Sequence, residues 1–126
     1  MGANLIHTDA DKIDYDYEND SLFIYVKGAA YKHSLNLNNI IIDFAEGEFI
    51  KGVEIQNASK KFNVSKYALQ KLHQVDVKLF ISNEKIELKI ELSIEIRNKC
   101  VPKAINAADI NEFNIPSGTM AMSCGI

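Results

Sequence analysis

Residues 39–62, NIIIDFAEGEFIKGVEIQNASKKF, hold the most patterned set of chemistry-bearing side chains: Asp43, Glu54 and Ser59. Two carboxylates held close share a proton, and one of them then carries the raised pKa that general acid–base work needs. A hairpin would have to set Asp43 and Glu54 face to face. Centring its turn between Glu46 and Gly47 instead puts Asp43 opposite Ile50 and Glu54 nearer Asn39, with a bulge at Gly52 able to change this by one place. Ser59 follows Ala58 at a strand-to-helix turn, where a small residue allows close backbone approach and a hydroxyl can cap the helix. A phosphate-cradling loop would end in Gly-Lys-Ser/Thr; "GEFIKGVE" has two glycines but no such ending. Asp43, Glu54 and Ser59 therefore stand as candidate ligand-binding residues, and no catalytic residue is assigned.

Three other groups of side chains could bear chemistry. Asp9, Asp11, Asp14, Asp16, Glu18 and Asp20 recur every two or three residues. They fail the calcium-loop pattern, which needs a glycine at the turn and a closing glutamate, so they read as a charged edge and turn. Lys60, Lys61, Lys66 and Lys71 form a basic segment with His73, suited to an acidic protein partner. It lacks arginine, which normally carries base readout, so nucleic acid is disfavoured. Cys100, Cys124, His33 with Ser34, and Ser117 carry no nucleophile motif, and the three histidines stand at no ligand spacing. No metal and no cofactor is expected.

The elements that must hold these residues follow from periodicity. "KIDYDY" alternates, with Ile13, Tyr15 and Tyr17 on one face and Asp14 and Asp16 on the other. "SLFIYV" returns after the turn "END". "NIIIDFA" and "FIKGVEI" form a second hairpin, with positive φ expected at Gly47. Residues 29–38 have no clean period, although "SLNLNN" can begin a strand. Val64, Ala68, Leu72 and Val75 fall at helical spacing, so "NVSKYALQKLH" predicts a helix of about three turns, capped by Asn63 or Ser65. "VDVKLFIS" and "KIELKIELSIEIR" give a third hairpin about Asn83-Glu84, its second arm alternating core and solvent. The tail from Asn98, broken by Pro102 and Pro116, reads as irregular, with a helical turn or two at "NAADINEF" and a last strand at "GTMAMSC". Leu22, Ile24, Ile40, Ile42, Ile55, Leu69, Leu88, Ile90 and Leu92 are the expected core. The class is α+β: mainly antiparallel β-sheet in three hairpins, with one central helix packed on it.

Composition bounds the rest. A chain of 126 residues, 47% hydrophobic and 25% charged, suits one domain over 1–126 with its own core. A net charge of −3 gives no pull toward nucleic acid or anionic membranes. No apolar run is long enough to span a membrane, and two distant cysteines suit a reduced, cytoplasmic protein. Arg97 is the single arginine; the preference for lysine, isoleucine and asparagine points to an AT-rich prokaryotic coding bias.

With these elements placed, "IDYDYENDSLFIYV", "NIIIDFAEGEFIKGVEI" and "NAS" before a helix resemble a small prokaryotic domain family of unknown function, numbered 2283. The matching positions are Tyr15, Asp16, Asp20, Leu22, Ile24, Asp43, Gly47, Gly52, Val53, Glu54, Ile55, Ala58 and Ser59. The likeness covers residues 12–60, ahead of the helix at 61–74 and the hairpin and tail at 75–126. The resemblance implies no established activity. Some members are thought to sit beside toxin-like genes, which implies an antitoxin-like, partner-masking alternative. The leading expectation is a non-catalytic cytosolic interaction module, homodimeric through the long C-terminal strand. A small-ligand binder or enzyme at Asp43, Glu54 and Ser59 is the runner-up.

Overall fold

A computed structural model describes residues 5–125. Ten strands build two five-stranded sheets. One sheet carries β1 (Leu5–Asp9), β10 (Gly118–Gly125), β7 (Leu72–Ile81), β8 (Lys85–Ile96) and β9 (Lys99–Ile110), in that spatial order. The other carries β2 (Lys12–Asp16), β3 (Ser21–Tyr25), β6 (Ile50–Ile55), β5 (Ile40–Ala45) and β4 (Tyr31–Leu37). Every pairing is antiparallel except β1 with β10. The buried faces of both sheets feed one contiguous core, which removes apolar side chains of both from water together. All nine expected core residues are buried.

The chain passes between sheets at Ala10 and Asp11. Ala10 N donates to Ser123 O at 2.8 Å on one sheet, and Asp11 N donates to Tyr25 O at 3.0 Å on the other. β1 and β2 thus behave as one strand that changes sheets. Two hairpins close through primed two-residue turns, where both central residues need positive φ. Asn38 and Asn39 (φ 51° and 64°) join β4 to β5, and Arg97 and Asn98 (φ 52° and 63°) join β8 to β9.

The expected single helix is replaced by two short ones, α1 (Ala58–Phe62) and α2 (Lys66–Leu69). Asn63, left-handed at φ 55°, ends α1, and Ser65 Oγ caps α2 by accepting from Ala68 N at 3.1 Å. Leu72 and Val75 belong to β7: the apolar spacing of 3 to 4 ran unbroken across a helix–strand junction. The expected hairpins pair as β2–β3, β5–β6 and β7–β8, but they are not the whole outline, since β4–β5 and β8–β9 pair as well. The tail is not irregular, because residues 99–110 form a full edge strand against β8. Positive φ falls on Glu48, at 59°, and not on Gly47. Asn83 does not take positive φ either; Ser82 closes that turn, with Oγ accepting from Lys85 N at 3.1 Å.

The sandwich has two unlike ends. α1 and α2 cover the end where β8 finishes, and Glu95 N donates to Lys71 O there at 3.1 Å. At the end where β8 begins, the 111–117 loop crosses instead. No helix among the described residues is long and apolar enough to cross a membrane.

Candidate functional site

The buried Asp20 makes four hydrogen bonds that join two distant segments. It sits at φ 53° in the β2–β3 turn, a left-handed position that Asp tolerates better than most residues. Its carboxylate accepts from Tyr15 Oη at 2.7 Å, Ser59 Oγ at 2.7 Å and Ser59 N at 3.0 Å, while its carbonyl accepts from Ala58 N at 2.9 Å. The first turn of any helix has N–H groups without partners. Asn57, which precedes α1, makes no side-chain cap. Asp20 supplies that cap from 39 residues away, and so fastens the β2–β3 turn to the helix. Burial alone pushes its carboxyl up, but the bonds from Ser59 and Tyr15 outweigh burial and hold it below the ordinary Asp value. Tyr15 moves the other way: burial first, then Asp20, hold its phenol well above the ordinary value.

This accounts for Ser59, whose hydroxyl and N–H are both engaged by Asp20. Asp43 and Glu54 lie on the outer face of the same sheet. Asp43 is opposite Gly52, with a bulge at Lys51 on β6 shifting the register, and Glu54 is opposite Ile41. Asp43 accepts from Ser34 Oγ at 2.5 Å, and Ser34 Oγ meets Tyr31 Oη at 2.7 Å. Glu54 accepts from Gln56 Nε2 at 3.3 Å. The two carboxylates are diagonal neighbours across β5 and β6, and Ser59 stands apart from both.

The lysine segment is dispersed. Lys61 Nζ donates to Gln56 O, and burial lowers its pKa. Lys66 lies 5.4 Å over Tyr17, and Lys71 lies 5.2 Å over Tyr67. His73 Nε2 is 3.3 Å from Glu95. The cysteines are both free. Cys124 pairs with Val75 on the inner face and Cys100 with Glu95 on the outer, with two strands between theirs, about 14 Å at the usual strand spacing. Among the described residues no group of three or more His, Cys, Asp or Glu could hold a metal ion.

Sequence reasoning missed three features, each built from residues far apart in the chain. A cleft of about 430 Å³ opens between the start of β4 and the 111–117 loop, lined by Leu35, Phe44, Ile115, Pro116 and Met120. His33 stacks on Phe44 there, with ring centroids 4.8 Å apart. Buried Asn111 ties the loop: Nδ2 donates to Ser82 O and Ile115 O, and Oδ1 accepts from Ile115 N, each at 2.9 Å. The tied loop carries Phe113 at 75% exposure on the rim of the cleft.

The second is a chain of groups on the outer face of the β1-β10-β7-β8-β9 sheet. His7 Nε2 lies 3.1 Å from Ser123 Oγ, which donates to Asp76 Oδ1 at 2.8 Å, and His7 Nδ1 lies 3.7 Å from Asp9. The residue types are those of a nucleophile relay, but the proton runs the wrong way. Ser123 spends its only proton on Asp76, so it accepts from His7 and is not activated by it.

The third is the charge pattern around that chain. Across β7 and β8, Lys78 stands directly opposite Lys89, and Asp76 directly opposite Glu91. Among the described residues neither lysine has a carboxylate within ion-pair distance. A basic row and an acidic row therefore lie side by side on one exposed face.

The family model described as "Protein of unknown function (DUF2283)" matches residues 12–59, which span the whole β2–β6 sheet and end at Ser59. The chain is 37% identical over 111 residues to a Methanosarcina mazei protein named "Putative hypoxanthine phosphoribosyltransferase", covering 88% of this chain and 90% of that one. It is 41% identical over 112 residues to "Uncharacterized protein MJ0789" of Methanocaldococcus jannaschii, covering 88% and 97%. No solved structure matches. A fastening in which Tyr15, Asp20, Ala58 and Ser59 all take part, inside the matched segment and beside full-length relatives, agrees with the motif: the chain belongs to the DUF2283 family.

Proposed function

We propose that the protein is a non-catalytic interaction module that pairs with a second copy of itself through the outer face of the β1-β10-β7-β8-β9 sheet. The observation that carries this reading is the pair of like-charge rows, Lys78/Lys89 and Asp76/Glu91. Like charges directly opposite across strands are destabilising. A two-fold axis lying between the rows sets each basic row against the acidic row of the other copy, as a self-complementary interface requires. The long strand β8 supplies Lys89 and Glu91, so the interface uses its solvent face. The exposed free thiol of Cys100 suits a reducing, cytoplasmic compartment.

The test is a charge exchange read by sedimentation. The native chain should dimerise at low salt and dissociate as salt rises, because the Debye length shrinks. Lys78→Glu with Lys89→Glu should leave a monomer, and so should Asp76→Lys with Glu91→Lys. An equimolar mixture of the two should restore the dimer. Two monomers that stay monomeric when mixed would end the proposal.

A second reading, a small-ligand binder, is favoured by Phe113, an aromatic held exposed by a tied loop over an apolar cleft. Such clefts between packed layers are common ligand sites, and about 430 Å³ is in their range. An anilinonaphthalene dye should bind saturably, and Met120→Trp, which fills the cleft, should remove that binding while the melting temperature holds. Equal dye binding by the filled variant would count against the site.

The transferase name of the Methanosarcina relative finds no support at the start of α1. Phosphoribosyl transfer must hold a phosphorylated sugar, and the start of a helix is the usual cradle. At α1 the N–H groups of Ala58 and Ser59 are already bound to Asp20.

A further inference from the structure

The chain's single arginine stands where an arginine has no local reason to be. Arg97 takes φ 52° at the first position of the β8–β9 turn, a left-handed conformation that costs an L side chain energy and usually selects Asn or Gly. Strain held at one position is a reason to look for function there. Arg97 lines a concavity of about 320 Å³ with Lys71, Lys103, Tyr67, Asn98 and Glu95. Three cations from three segments thus face one space. Among the described residues none has a carboxylate within ion-pair distance. Glu95, the one acid in the lining, lies 3.3 Å from His73 Nε2. The walls are fixed: Glu95 N donates to Lys71 O at 3.1 Å, and Tyr67 holds Lys71 5.2 Å over its ring. The free protein therefore combines, at one place, left-handed strain and three cations without carboxylate partners lining one space. An oxyanion supplies the missing partner.

We propose that this concavity binds a small polyanion bearing phosphate or carboxylate groups. The Arg97 guanidinium grips one group with two parallel hydrogen bonds, while Lys71 and Lys103 act as point charges. The site is independent of the dimer face.

The test is calorimetric titration of the full chain, at fixed ionic strength, with pyrophosphate and separately with citrate. Saturable one-to-one binding is expected. Tighter pyrophosphate assigns a phosphorylated ligand; tighter citrate assigns a carboxylate. Arg97→Gly should weaken the better probe at least about tenfold, with a melting temperature equal to or above the native one, since glycine relieves the left-handed strain. Lys71→Gln with Lys103→Gln, which leaves the turn untouched, should also weaken binding several-fold. No saturable binding of either probe, or native affinity in both variants, would overturn the proposal.

Discussion

Asp20→Ala should lower the unfolding free energy by about 3 kcal/mol, since it strips three hydrogen bonds from a buried carboxylate and leaves the α1 N–H uncapped. For a domain of this size that is a melting temperature lower by roughly 10 °C. Tyr15→Phe removes one donor and should cost about 1 kcal/mol. The same group governs the acid limb. Its folded value is depressed, so its contribution is complete above the unfolded value of about 3.9 and is lost as pH falls through the folded value. Below about pH 4 the native chain should therefore lose stability with falling pH more steeply than Asp20→Ala. Parallel acid limbs in the two proteins would show that Asp20 is not the linked group.

Asn111→Ala should cost about 2–3 kcal/mol in chemical denaturation, because it leaves Ser82 O, Ile115 O and Ile115 N without their partner at a buried position. The loss should be local as well as global. Amide exchange should accelerate first in the 111–117 loop while β7 and β8 stay protected, since that loop has little else to hold it. Unchanged loop protection would mean that packing, and not Asn111, fixes the position of Phe113.

Much of the fold could be read from residue order. Strands with full alternation, such as "KIELKIELSIEI", announce both their period and their buried face. β9 was hidden because its inner positions include Ala107 and Lys103 and its outer ones include Pro102, so no apolar alternation marks it. Pro102 pairs with Ser93 at a position whose N–H would face away from β8, where an edge strand tolerates proline. The two short helices were misread because Ala68 and Leu72 keep helical spacing across the change of element. The sites were less legible still. Asp20 with Ser59 and His7 with Ser123 meet only through long-range pairing, which also brings Lys71 and Arg97 to one concavity. Asp43, Glu54 and Ser59 belong to the family outline, but local pattern alone could not show that Ser59 answers to Asp20.

The strand that changes sheets at Ala10 and Asp11 also orders events in time. The β2–β6 sheet is assembled from residues 12–55, mostly between near neighbours in the chain. The other sheet cannot close until β10, the last strand to leave the ribosome among those described, has paired β1 with a partner more than a hundred residues later. Closing so long a loop is slow and entropically costly. A nascent chain should therefore hold one finished sheet, already latched to α1 by Asp20, while the edge of β7 that β10 will pair waits with its backbone groups open. The risk of aggregation during synthesis is concentrated in that interval.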